Sequence, residues 1–187
     1  MMKQRSLVYR LSLDAMFVAL YFVLAKITFP IGNIHLTLAS LPIIIAALLF
    51  GVSDTIFIAA LGEFLIQVFS YGFSITLPIW LLGPMVRGLI IAVVASIFRK
   101  KGKELDHRPF AYYLTTVTAS IVVTAVNTLA LYLDALIIGY PVSIVLLETV
   151  IRFGTGILTA VLVSLAAHPL ADALRHYSPS FSVKDHE

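Results

Sequence analysis

Residues 76–98 read TLPIWLLGPMVRGLIIAVVASIF, and residues 99–108, which follow directly, read RKKGKELDHR. The first segment is long and apolar enough for one transmembrane helix, which needs about 20 mostly apolar residues. The second is a short basic loop, and such loops stay on the cytoplasmic side of a membrane. Together they predict a helix that starts outside and ends in the cytoplasm.

The rest of the chain repeats this pattern of apolar spans and short polar connections. Apolar residues make up 60% of the 187-residue chain and charged residues only 12%, unlike a soluble domain. The sequence predicts an all-α integral membrane protein, one membrane domain over residues 1–187 with six transmembrane helices and a disordered tail over 178–187. The predicted spans are 7–29, 38–52, 54–71, 76–98, 110–134 and 142–168.

Lysine and arginine residues predict the orientation of these spans. Of the 13 in the chain, all but Lys26, Arg87 and Arg152 lie before or at the start of the first span, in the loop 99–108 or after the last span. An even number of spans brings these three regions to one side, which should be the cytoplasm. We therefore expect both termini inside and a multi-pass location in the bacterial plasma membrane.

Charged side chains inside apolar spans indicate a functional interior. A charge near the bilayer centre costs several kcal/mol, so such residues usually face other helices or a water-filled cavity. At helical spacing the polar residues form one face on each of four spans: Glu63, Gln67 and Tyr71; Trp80 and Arg87; Asn127 and Asp134; Glu148 and Arg152.

These four faces lie mostly in the outer half of the predicted bundle, which suggests a cavity open to the outside. The predicted substrate-binding residues are Glu63, Gln67, Tyr71, Trp80, Arg87, Asn127 and Arg152. Structural alternatives exist for each of the main groups. Glu63 with Arg87, and Glu148 with Arg152, are possible ion pairs. Asn127 is a possible interhelical hydrogen-bond partner, the two aromatic residues fit an interfacial belt, and Asp134 fits the end of span five.

The first span carries a different signal, a pair of small residues near its cytoplasmic end. Ala15 and Ala19 are one helical turn apart, a spacing that lets another helix approach closely. The approaching helix belongs either to a partner protein or to the same chain. After this span, a turn-rich loop over residues 29–35 is predicted on the outer side.

Several activities have no residues to carry them. The chain has no cysteine, no nucleotide-binding phosphate loop and no zinc-protease or nucleophile-elbow motif. Its five histidines show no metal-ligand spacing. We therefore predict no enzyme activity, no metal and no cofactor. The net charge of +3 comes mostly from the predicted cytoplasmic loops and does not indicate nucleic-acid binding.

Four segments resemble the substrate-binding S components of energy-coupling factor (ECF) transporters. They are LASLPIIIAALLFG at 38–51, GEFLIQ at 62–67, PMVRGL at 84–89 and NTLALYLD at 127–134. The resemblance covers almost the whole chain and is closest to the hydroxymethylpyrimidine or pyridoxine branch, with pantothenate and folate components as alternatives.

The resemblance implies a subunit that captures a water-soluble vitamin or precursor on the external side. It implies docking through Ala15 and Ala19 onto a transmembrane T component, with two cytoplasmic ATPases supplying energy. It also implies that the loop carrying Asn33 and His35 closes as a lid. The alternative from another class is a stand-alone proton-coupled transporter with Glu63 or Glu148 as its titrating group.

Overall fold

The computed structural model describes residues 7–31, 34–139 and 142–177, with backbone only at 29–31, 34–36, 142–148 and 177. Six helices and one hairpin occur in these ranges. Their bounds are α1 Leu7–Lys26, β1 Thr28–Ile31, β2 Ile34–Thr37, α2 Ser40–Leu49, α3 Val52–Tyr71, α4 Leu77–Lys100, α5 Pro109–Ile138 and α6 Val142–Tyr177. Asn33 and the predicted tail 178–187 lie outside the described residues.

Five of the helices are long and apolar enough to cross a membrane, namely α1, α3, α4, α5 and the Thr149–His176 part of α6. The second predicted span differs. α2 has only 10 residues, or about 15 Å of helix, half of the hydrocarbon thickness of about 30 Å. It starts at Ser40 because the hairpin occupies the residues before it, and all ten of its residues are buried among the longer helices.

The predicted outer loop forms an antiparallel hairpin instead of an irregular turn. β1 pairs with β2 from Thr28 opposite Thr37 to Ile31 opposite Ile34. His35 lies in β2 opposite Pro30, and its side chain is not among those described. Within the described residues, the all-α prediction therefore holds for the helical bundle and needs this one two-stranded addition.

The last two helices extend beyond their predicted ends. α5 continues to Ile138, and Gly139 follows with a positive φ of 88°, a conformation that glycine adopts at low cost. Asp134 therefore lies within the helix, one turn before its end, and does not terminate it. α6 continues to Tyr177, so Arg175 belongs to the helix and does not follow it.

Arginine contacts bring several helix ends together at one end of the bundle, here called the basic end. Arg10 bonds Asp54, Arg99 bonds the Phe50 carbonyl, and Arg175 bonds Asp106 and the Leu48 carbonyl. At the opposite end, Lys26 of α1 bonds Ser70 of α3. The basic end thus gathers the start of α1, the start of α3 and the ends of α2, α4 and α6.

Candidate functional site

Glu63 of α3 is held by two hydrogen bonds from different parts of the bundle. The Tyr21 hydroxyl of α1 donates to Oε2 over 2.7 Å, and Gln67 Nε2, one turn further along α3, donates to Oε1 over 2.7 Å. Tyr21 is only 4% exposed, and its ring packs so closely on Gly62 that a Cβ there would overlap it. The carboxylate is therefore fixed in position.

Arg87 of α4 faces the same place from a third helix. Its guanidinium interacts electrostatically with Glu63 and with Tyr21. Within the described part of the chain, however, it forms no hydrogen bond or ion pair. The Glu63 and Arg87 side chains, both half-buried, thus lie within electrostatic range of each other without a direct hydrogen bond or ion pair. The direct Glu63–Arg87 ion pair considered from the sequence is absent from these residues.

Asn127 of α5 joins this group through α4. Its Oδ1 lies so close to Gly83 that a Cβ at that position would overlap it. Gly83 and Arg87 are four residues apart and share one face of α4. Asn127 therefore lies against the face of α4 that carries Arg87.

Trp80 occupies the same face of α4, one turn before Gly83, and is half-buried. Pro84 lies within this helix and has no N–H to donate to the Trp80 carbonyl. Tyr71, by contrast, is the last residue of α3 and is 77% exposed. Glu63 and Gln67, by contrast with Tyr71, are half-buried.

Two polar residues of α5, Ser120 and Thr124, lie at the interface between α5 and α6. Ser120 donates to the Gly156 carbonyl of α6 over 2.8 Å, and Thr124 donates to the Ser120 carbonyl, so these hydroxyls serve helix packing. Arg152 is half-buried and engaged in a contact. The structure does not describe the side chain of Glu148. Whether Glu148 and Arg152 line a pocket or form a structural pair therefore stays open.

Two residues that sequence reasoning missed are central to this site. Tyr21 was overlooked because span one otherwise has little polar content, although a phenol within an apolar span needs a partner. Gly83 was overlooked because its contribution is the absence of a side chain. The only available signal was its spacing of four residues from Arg87, on the face that Trp80 also shares.

Asp134 adds a buried acceptor on the Asn127 side of α5. Its Oδ1 is buried and has no hydrogen-bond partner among the residues that the structure describes, and Asp134 lies two helical turns from Asn127. A buried polar atom without a partner is rare in proteins and calls for an explanation such as a water or a ligand. Asp134 is therefore a further candidate for the site.

A second polar cluster lies at the basic end. Glu104, Asp106 and His107 bring possible metal-ligand atoms within 4.8 Å of one another, a grouping that the histidine spacing did not predict. Arg175 already pairs with Glu104 and Asp106. The cluster is thus accounted for as an ion-pair network that joins the loop after α4 to α6.

The small-residue pair of α1 faces away from the bundle. Ala15 and Ala19 are exposed, whereas Asp14, Phe17, Val18 and Tyr21 form the buried side of the helix. In the described part of the chain no other helix covers the two alanines. The role of this spacing in docking a partner helix stays a prediction.

The fold is shared with solved S components of ECF transporters. One, described under "Structure and mechanism of the S component of a bacterial ECF transporter", is 22% identical with a TM-score of 0.64, covering 90% of this chain and 96% of that chain. The S component for biotin from an ECF-type ABC transporter is 15% identical with a TM-score of 0.60, and the match covers 92% of this chain and 95% of that chain. ThiT from Listeria monocytogenes is 20% identical with a TM-score of 0.61, and the match covers 93% of this chain and 97% of that chain.

Residues 10–174 match the family "ECF transporter, substrate-specific component", and the chain belongs to this family. None of the curated proteins compared with it matches. The protein is a multi-pass integral membrane protein and the non-catalytic, substrate-binding component of a vitamin-uptake transporter. The resemblance drawn from the sequence is thereby confirmed at the level of the family.

Proposed function

We propose that this protein captures a near-neutral ring alcohol, hydroxymethylpyrimidine or pyridoxine, in the space between α1, α3, α4 and α5. The observation that carries this proposal is the arrangement of Glu63 and Arg87. The two opposite charges lie within electrostatic range of each other without a direct bond. A ligand with no net charge that both donates and accepts hydrogen bonds can contact both and leave neither uncompensated.

The ligand chemistry follows from the atoms that remain available. Both Glu63 oxygens already accept one hydrogen bond, but each carboxylate oxygen has room for a second. A ring hydroxyl or amino group donates to Glu63, and a ring nitrogen or alcohol oxygen accepts from Arg87. Trp80, on the same face of α4, offers an aromatic surface for stacking.

A ligand with a carboxylate, such as pantothenate, is the second candidate. The hydrogen bonds that Tyr21 and Gln67 donate to Glu63 favour this candidate, because they satisfy the carboxylate without a ligand. Arg87 would then be left to pair with an anionic ligand, for which a guanidinium is well suited. The two candidates differ in the charge that the ligand brings to the site.

Mass spectrometry of small molecules released from the purified protein tests the proposal directly. We expect a pyrimidine or pyridine alcohol, and titration calorimetry should then show tighter binding of that compound than of pantothenate. Recovery of a carboxylate vitamin, with tighter binding of that vitamin, would replace the first candidate by the second.

We further propose that the subunit works with a T component and two cytoplasmic ATPases, because these partners are implied by the family resemblance. Co-purification from cells that express all components tests this point. The protein alone in liposomes should bind its ligand without transporting it. Uptake by the protein alone, driven by a proton gradient, would identify a stand-alone transporter instead.

A further inference from the structure

A groove opens where α4 ends and α5 begins. It has a volume of about 410 Å³ and is lined by Phe98, Lys103, Arg108, Pro109, Phe110 and Ala111; these residues define the loop groove. Phe98 and Phe110 belong to the ends of two membrane-spanning helices. The loop groove therefore lies at the boundary between the hydrocarbon layer and the lipid headgroups.

The acidic and basic side chains of this loop have different neighbours. Glu104 pairs with Arg175 at 3.0 Å, and the buried Asp106 also bonds Arg175. The side chains of Lys103 and Arg108 are exposed and form no hydrogen bond or ion pair with any described residue. Because the two acids of the loop are engaged with α6, the loop groove carries two positive charges that no described side chain neutralises.

The wall of the groove is apolar beside these charges. Phe110 is 83% exposed and Phe98 is half-buried. An anionic head with an apolar chain complements both features at once. A soluble anion would leave the phenylalanine wall wet, and a lipid with a positively charged headgroup would bring a third cation near Lys103 and Arg108.

We propose that the loop groove binds an anionic phospholipid of the surrounding bilayer. Lys103 and Arg108 hold the phosphate, and the first part of an acyl chain lies along Phe98 and Phe110. Basic pockets at the ends of membrane helices recognise lipid headgroups in this manner, and the guanidinium of Arg108 matches the geometry of a phosphate. This site is separate from the substrate site at Glu63 and Arg87.

Native mass spectrometry of the detergent-purified protein, exposed to a mixture of phosphatidylglycerol and phosphatidylcholine, tests the proposal. The wild type should retain phosphatidylglycerol preferentially. Each basic residue near an anionic lipid contributes about 1 kcal/mol, or about fivefold in affinity. The double variant Lys103→Gln with Arg108→Gln should therefore retain phosphatidylglycerol about 25-fold more weakly.

The matched control is Lys100→Gln with Lys101→Gln, which changes the charge of the same region equally but lies outside the loop groove. It should retain phosphatidylglycerol as the wild type does. An equal loss in both double variants would indicate diffuse attraction to the basic surface and overturn the proposal.

The apolar half of the site is tested by Phe110→Ser, which keeps both cations and should weaken retention of phosphatidylglycerol. Displacement of the lipid by inorganic phosphate alone would indicate a simple anion site and overturn the proposal. It would also be overturned if the Lys103 and Arg108 variant kept its lipid but lost a co-purifying T component, since the groove would then be a protein-docking surface.

Discussion

At the scale of single residues, the site depends on how Glu63 is held. Two donors, one from α1 and one from α3, satisfy a carboxylate that would otherwise be costly among apolar helices. Fixing the carboxylate in advance lowers the ordering cost of ligand binding. Tyr21 therefore matters although its own hydroxyl is occupied, because it determines where the Glu63 oxygens lie.

Tyr21→Phe should destabilise the protein measurably. The change removes the hydroxyl that donates to Glu63, and a hydrogen bond to a charged group contributes about 1.5–3 kcal/mol. We expect a lower midpoint of thermal unfolding in detergent. Tyr71→Phe is the matched control, since Tyr71 is exposed and should tolerate the same change. Equal midpoints for Tyr21→Phe and wild type would show that the Tyr21 hydroxyl contributes nothing to stability.

Glu63→Gln and Arg87→Met should each weaken ligand binding. A lost hydrogen bond to a charged group is worth about 1.5–3 kcal/mol, and each 1.4 kcal/mol is tenfold in affinity. We therefore expect losses of roughly ten- to a hundredfold by titration calorimetry with the ligand identified by mass spectrometry.

The double variant Glu63→Leu with Arg87→Met separates a ligand site from a structural pair. Replacing a whole buried ion pair by apolar groups is often neutral for stability, so the protein should still fold. If this variant binds the ligand as tightly as the wild type, the two residues only neutralise each other and the site lies elsewhere.

At the scale of helices, the short α2 and the small residues decide how the bundle packs. Because α2 has 10 residues, it does not fill the centre of the bundle over its full height. Ile43, near the start of α2, packs with Tyr21 and Ala59. The beginning of α2 therefore lies beside Tyr21, the residue that bonds Glu63. Gly83 then lets α5 approach α4 closely enough for Asn127 to reach the same region.

Gly83→Ala should lower the midpoint of thermal unfolding. An added Cβ would overlap Asn127 Oδ1, and this overlap should outweigh the gain of about 1 kcal/mol in helix propensity. Gly154→Ala in α6 is the control, since a Cβ there meets nothing within 4 Å; it should be neutral or stabilising.

Truncating Asn127 to Ala should relieve the effect of Gly83→Ala. Directly contacting residues show coupling of about 0.5–3 kcal/mol in a double-mutant cycle. Strictly additive effects of the two changes would mean that the close approach of Gly83 and Asn127 has no energetic consequence.

Ala15→Trp or Ala19→Trp should block transport by the assembled complex but spare ligand binding by the isolated subunit. Both alanines are exposed, so a bulky side chain disturbs a partner helix and not the core. Ala125→Trp, at an exposed position on α5, is the matched control for the size change and should transport normally. Loss of ligand binding in the Ala15 and Ala19 variants would place these residues in internal packing instead.

At the scale of the whole molecule, the orientation in the membrane can be tested on a chain with no cysteine of its own. A cysteine at Lys101, in the basic loop, should resist a membrane-impermeant thiol reagent in intact cells. A cysteine at Phe73, which is 83% exposed in the connection between α3 and α4, should react. Labelling at Lys101 but not at Phe73 would show that the orientation is the opposite of the predicted one, and that the cavity does not open to the outside.

Much of the architecture could be predicted because it depends on local composition. Long apolar runs give membrane helices wherever they occur, since a backbone in lipid must satisfy its own hydrogen bonds. This rule gave the positions of five long helices, although α5 and α6 extend four and nine residues beyond their predicted ends. It failed for 38–52, because hydropathy does not show that a preceding hairpin takes the residues that would complete the helix.

The sequence by itself determined that this protein is a helical membrane protein of the S-component class, with charged residues of α3 and α4 in its interior. Helical spacing placed Glu63 beside Gln67, and Arg87 on the same face as Trp80, because each of these pairs lies within one helix. Only the tertiary structure decided that Tyr21 bonds Glu63, that Arg87 faces it without a direct bond, and that Gly83 admits Asn127. Each of these relations joins residues more than 20 positions apart, and each depends on how the helices pack against one another.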